Sequence, residues 1–156
     1  TEIINNINEV VGKNDNLYLL GDLSWYDGQK TYELLSKIKC QNLHLIVGNH
    51  DGKLMRDERC TNLFSSINDL LRIKDNGRVV ILCHYPMAVW DQSHNGSYHL
   101  YGHVHRNLNL DGDINHAILK HDELRNAYNV GCMIYYMNYT PRTLDEIIKK
   151  SKTKQK

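Results

Sequence analysis

The sequence predicts a layered α/β domain, a sandwich of mixed β-sheets flanked by helices. Three observations carry that prediction. Short apolar runs alternate with amphipathic segments through the first half of the chain, the pattern of strand–helix–strand units. Asn76-Gly77 separates two strand-like runs and marks a hairpin. Thr143 to Lys150 has helical spacing, with Thr143 and Glu146 forming a capping box at its start.

The elements follow in order. Ile3, Ile4, Ile7, Val10 and Val11 recur at helical spacing, and Gly12 offers a stop. Leu17 to Leu20 is an apolar run ending in Gly21-Asp22, the pattern of a buried strand. Thr31 to Lys39 places Tyr32, Leu34, Leu35 and Ile38 on one helical face. Leu43 to Val47 is a second buried strand ending at Gly48. A helix between two such strands implies parallel pairing with a right-handed crossover. Ile67 to Ile73 and Arg78 to Cys83 form the hairpin around Asp75-Asn76-Gly77. Ser97 to Tyr101, Tyr128 to Gly131 and Met133 to Tyr139 read as three further short strands. The closing helix turns Leu144, Ile147 and Ile148 inward.

Bulk properties narrow the function. A chain of 156 residues suffices for one domain with a real core, placed at residues 1–150, with 151–156 a basic tail. Its 41% hydrophobic and 24% charged content is that of a soluble globular protein. A net charge of +1 offers no field for a phosphate backbone, so stable nucleic-acid binding is not expected. No run approaches the ~18 apolar residues of a membrane span. Cys40, Cys60, Cys83 and Cys132 show no CxxC spacing and read as reduced thiols of a cytoplasmic protein.

Four short segments hold most of the chemically capable side chains. They are Gly21-Asp22, Gly48-Asn49-His50-Asp51, His84 before Tyr85-Pro86, and Gly102-His103-Val104-His105. Each follows an apolar run, so their side chains converge on the strand ends where open α/β sheets bind ligands. Each alone has a structural explanation, such as a turn chosen for its backbone angles. Together they offer a carboxylate, an amide and imidazoles, a mixed N/O set suited to divalent Mn, Fe, Zn or Ni rather than to an all-thiolate structural zinc site.

With those four motifs in that order, the sequence resembles the calcineurin-like metallophosphoesterase family, from about Asn14 to Ile148. Asn129-Val130-Gly131 and Pro141-x-x-Leu144-x-Glu146-Ile147 resemble a small bacterial and phage branch of it. The resemblance implies two divalent metal ions. Asp22 would bridge them, Asn49, His84 and His103 would bind the second, and His105 the first. His50 would be catalytic, facing the phosphate and protonating or stabilising the leaving oxygen. The activity implied is hydrolysis of a phosphomonoester or phosphodiester by a metal-bridging hydroxide. The short loops favour a small phosphoester such as a nucleotide. A non-catalytic scaffold on the same fold is the alternative.

Two departures qualify the resemblance. The family's first strand ends in Asp-x-His, and nothing like it precedes Asp22. The expectation is a chain truncated at its start, lacking a central strand and folding poorly alone, with the first metal site incomplete. Where many phosphatases of the family place an Asp that pairs with the histidine, this sequence has Trp25, which argues against a protein Ser/Thr phosphatase.

Other residues read as follows. His44 is expected to pack in or beside the core, and His99 either to support His103 or to pack. Trp90 and His94 are expected in a loop bordering the site, with Trp90 facing solvent or stacking on a ring. Arg106 could meet a phosphate, and His116 and His121 read as surface groups.

Overall fold

A computed structural model describes residues 2–105 and 126–153. Arg106, His116 and His121 lie outside the described residues. The elements are α1 (Glu2–Val10), β1 (Asn16–Leu19), α2 (Gly28–Leu35), β2 (Asn42–Ile46), α3 (Gly52–Met55), α4 (Glu58–Thr61), β3 (Ser66–Asn68), β4 (Leu70–Asp75), β5 (Arg78–Cys83), a 3₁₀ turn (Ser93–Asn95), β6 (Tyr98–Tyr101), β7 (Ala127–Asn129) and α5 (Leu144–Ser151). They build two sheets, in the orders β1-β2-β3 and β4-β5-β6-β7.

The first sheet is parallel throughout, with Leu17 opposite Leu43 and Leu45 opposite Ile67. One face is uniformly apolar, and the other mixes Ile46 and Tyr18 with polar side chains such as His44 and Ser66. On one face, Leu17, Leu43 and Leu45 meet Ile7 of α1, Leu35 of α2, Leu54 of α3 and Cys60 of α4. On the other, Ile46 meets Val80 and Leu82 of β5 and Leu144 of α5, with Tyr18, Leu71, Ile73, Tyr98 and Leu100 packed around them. That second cluster is the seam of the sandwich. Each fully buried side chain in it is worth roughly 1.5–3 kcal/mol relative to exposure.

The second sheet joins an antiparallel hairpin, β4–β5, to two parallel strands. Asn76 and Gly77 both take positive φ, 48° and 79°, which the two-residue turn requires and these residue types tolerate. The closing helix starts as expected. The Thr143 side chain accepts from Glu146 N–H, and the Glu146 carboxylate accepts from Thr143 N–H at 2.9 Å.

Several local expectations are corrected. The α2 helix begins at Gly28 rather than Thr31, because the Asp27 carboxylate caps it by accepting from Lys30 N–H at 2.9 Å. The run Ile67 to Ile73 is two strands that serve different sheets, β3 and β4, parted at Asp69. Met133 to Tyr139 is not a strand. It is a chain of turns closed by Ile134 N–H to Gly131 O and Met137 N–H to Ile134 O, which carries Ile134 and Met137 onto Ile147 of α5. Cys132 accordingly lies in a turn and is exposed. Cys40 and Cys60 are buried, and all four cysteines are free thiols. Among the described residues no helix is long and apolar enough to cross a membrane.

Candidate metal centre

The four expected loops all leave the carboxyl ends of strands. Gly21-Asp22 follows β1, Gly48-Asn49 follows β2, His84 follows β5 and Gly102-His103 follows β6. Two loops come from each sheet, so the cluster lies across the seam. The Asp22 carboxylate and the His84 and His103 rings each present a ligand atom within 4.8 Å of the others. Asn49 joins them, its Oδ1 3.2 Å from His84 Nε2. His105, the remaining expected ligand, is exposed and outside that three-residue group.

His84 fixes the chemistry of the cluster. Its side chain is 1% exposed, and its Nδ1 lies 2.6 Å from the Leu20 carbonyl oxygen. A carbonyl has no proton to give, so Nδ1 carries the hydrogen and donates across from one sheet to the other. Its Nε2 faces Asn49 Oδ1 at 3.2 Å and Asp22 Oδ2 at 3.4 Å, and in the neutral Nδ1–H tautomer it presents a lone pair to them. Three potential ligand atoms thus face one another. A divalent cation among them would be held by all three, and the carboxylate, amide and imidazole set suits Mn, Fe, Zn or Ni. The donor hydrogen bond from Nδ1 to a backbone carbonyl is the support that metal-ligating histidines usually have.

His103, like Asn49, is exposed. Its ring packs against His84, with centroids 5.2 Å apart, and against Tyr85 at 4.8 Å. Burial among these rings pushes its pKa down, and the neighbouring His84 adds to that against the opposite pull of Asp22. A lowered pKa favours the neutral ring that a cation needs.

The loops are held in place by groups that supply no ligand. The Asp51 side chain, 1% exposed, accepts three backbone N–H groups: Gly48 at 2.7 Å, Asp22 at 2.9 Å and Leu23 at 3.0 Å. It therefore clamps the first loop to the second. His50 N–H adds a bond to Asp22 Oδ1 at 2.9 Å, orienting the carboxylate. Gly21 takes φ of +85°, and a Cβ there would lie 2.6 Å from both Gly48 N and His84 Nδ1. Only glycine fits so close an approach. The Gly102 loop is anchored by Asn129, whose Nδ2 donates to Val104 O at 2.7 Å. Asp22 and His103, both candidate ligands and neither a glycine, have positive φ of 54° and 62°. Such residues cost on the order of 1–3 kcal/mol and persist where the surroundings over-determine them.

His50 and its neighbour differ from the other ligand-loop residues. The His50 ring is exposed and packs on the indole of Trp25, centroids 4.1 Å apart and tilted by 44°. Trp90, expected in solvent or at the site, is instead buried at 4%, donating from Nε1 to Ser97 Oγ at 3.0 Å. Its indole is large enough to fill the outer face of the second sheet beside Ile81 and Tyr101. His94 stays exposed in the 3₁₀ turn. His44 packs as expected, stacked on Tyr18 and bonded to Ser66 and Asn16. His99 is wholly buried and supports the loop after His84. Its Nε2 accepts from Met87 N–H at 3.1 Å, and its Nδ1 donates to Ile81 O at 3.0 Å.

Asp51 and Asn129 were not singled out as site residues by sequence reasoning. Asp51 carried a usable signal, an acid directly after a ligand loop and before a helix. Asn129 opens the Asn129-Val130-Gly131 segment, but nothing local pointed to its anchoring role, since its partner Val104 is 25 residues away.

Neither the protein-family models nor the curated proteins searched match this chain. A crystal structure of a protein of unknown function from Aquifex aeolicus resembles it at a TM-score of 0.69 and 22% identity, over 95% of this chain and 82% of that one. At that identity the likeness is one of fold, and it agrees with the α/β sandwich described above.

Proposed function

We propose that this protein is a divalent-cation-dependent phosphoesterase acting on a small phosphomonoester or phosphodiester. The observation that carries the reading is the gathering of Asp22 Oδ2 and Asn49 Oδ1 around His84 Nε2, with His103 beside them. Asp22, Asn49, His84 and His103 would hold the cation, and His105 would serve a second. Bound divalent cations supply Lewis-acid polarisation of the phosphate and a nucleophile at neutral pH.

The chain's own residues do the rest. Asp51 keeps the Asp22 and Asn49 loops in register. The Leu20 carbonyl keeps the His84 proton on Nδ1, leaving Nε2 free to ligate. His50 sits at the exposed edge, where an imidazole can pass a proton to the leaving oxygen. With Trp25 rather than a carboxylate beside it, His50 has an aromatic face as its neighbour.

The test is Mn²⁺-dependent turnover of p-nitrophenyl phosphate and bis-p-nitrophenyl phosphate, with Mn²⁺ binding followed by calorimetry. Expected are Mn²⁺ binding lost in His84→Ala, turnover abolished by chelation, and a rate about 10²–10⁴-fold lower in His50→Ala. A full-length protein that neither binds Mn²⁺ nor hydrolyses either ester would remove the proposal.

A further inference from the structure

Trp25 stands out among the exposed apolar residues. It is 69% exposed, and single exposed apolar side chains are ordinary. Its position is not ordinary, because its indole touches the ring of His50, whose backbone N–H is bonded to the Asp22 carboxylate. An open aromatic plane thus lies one side chain away from the cluster, on the side where His50 faces solvent.

The backbone that carries the indole is also tied down. Ser24 Oγ accepts from Tyr26 N–H at 3.2 Å and from the hydroxyl of Thr31 at 3.0 Å, and Thr31 is 1% exposed at the start of α2. Lys53 Nζ reaches the Trp25 carbonyl at 3.5 Å from the helix after Asp51. The turn bearing Trp25 is therefore tied to both α2 and α3. A turn tied down before a ligand arrives loses little backbone freedom on stacking, so more of the contact energy appears as affinity.

We propose that Trp25 is the docking plane for a flat aromatic group on the leaving side of the phosphoester, so that the preferred substrates are nucleoside phosphoesters bound through the base. This rests on the phosphoesterase reading and adds a specificity residue to it. A phosphate at the cluster directs its leaving oxygen toward His50, and the sugar and base carried by that oxygen extend over the indole beside it. Indole stacking accepts any base, because every base has a π-face. The site would therefore select for the presence of a base rather than for one base.

The experiment compares adenosine 5′-monophosphate with ribose 5-phosphate, which share the phosphate and the leaving alcohol and differ in the base. With Mn²⁺ present, binding is followed by calorimetry and by quenching of indole fluorescence. The wild-type protein should bind the nucleotide about tenfold more tightly than the sugar phosphate. In Trp25→Ala that advantage should vanish, and in Trp25→Phe part of it should remain. Quenching by the nucleotide should be lost in Trp25→Phe, because Trp90 is buried away from solvent. Equal affinities in the wild type, or an advantage that survives Trp25→Ala, would overturn this inference alone. Failure of the nucleotide, the sugar phosphate and inorganic phosphate to bind at all would overturn the phosphoesterase reading with it.

Discussion

Replacing Asp51 by Asn tests whether this buried acid is a clamp or a ligand. Its Oδ2 accepts from Gly48 N–H at 2.7 Å and Asp22 N–H at 2.9 Å, and its Oδ1 from Leu23 N–H at 3.0 Å. An Asn side chain has one acceptor oxygen. Placed best, it keeps the first two bonds and turns its NH₂ toward the Leu23 N–H, donor against donor. One hydrogen bond to a charged group is lost, worth roughly 1.5–3 kcal/mol, and the surviving two weaken on becoming neutral. The expected destabilisation is about 2–4 kcal/mol. At a urea slope of about 2 kcal/mol/M, the unfolding midpoint should fall by about 1–2 M. The measurement is urea unfolding of metal-free wild type and Asp51→Asn, followed by circular dichroism, with Mn²⁺ affinity measured alongside. The clamp predicts a loss of stability without metal and an affinity reduced about 10–100-fold, as for other groups that orient ligands. Unchanged metal-free stability with reduced affinity would refute the clamp and make Asp51 a direct participant at the cation.

Other outcomes follow from the same geometry. Gly48→Ala drives a Cβ into the Asp22 carboxylate and to 2.6 Å from Asp22 N, and should destabilise the protein by about 1–3 kcal/mol while weakening Mn²⁺ binding. His99→Ala leaves Met87 N–H and Ile81 O without their side-chain partner, and a cost of about 2–4 kcal/mol in thermal unfolding is expected. Thr143→Ala should cost about 1 kcal/mol by removing the cap of α5. The backbone N–H of Thr143 holds the Glu146 pKa below the usual carboxylate range. A group lowered on folding lends stability that is full above its unfolded value and is lost as pH falls through its folded value. Glu146→Gln should therefore flatten the acid limb of the stability curve, and an acid limb identical to wild type would contradict that assignment.

The residues that were legible in the sequence are those whose signal is local. The Asn76-Gly77 hairpin and the Thr143 capping box are each decided within four residues, and both stand as read. Asp22, Asn49, His84 and His103 were legible because each directly follows a strand, and strand ends gather by topology. His105 was read from the same motif, but the left-handed backbone at His103 decides where each ring of the pair goes, and spacing alone does not show it. Helices α3 and α4, of four residues each, are too short to leave a periodic pattern. The break at Asp69 escaped notice because β3 and β4 are both strand-like and differ only in which sheet they join. Trp90 was misplaced for a related reason. A loop indole looks the same in sequence whether it faces water or covers the far side of a sheet.

The hydrogen bond from His84 to the Leu20 carbonyl spans two separately built leaves of chain. Anything gripped between Asp22 and His84 is consequently grasped by both leaves at once. Occupancy adds a second tie between leaves already joined at the seam, so slowing of amide exchange at the β1–β2 and β5–β6 strand ends should track occupancy of the grip. An emptied grip would then register first as breathing between the leaves, well before either one frays.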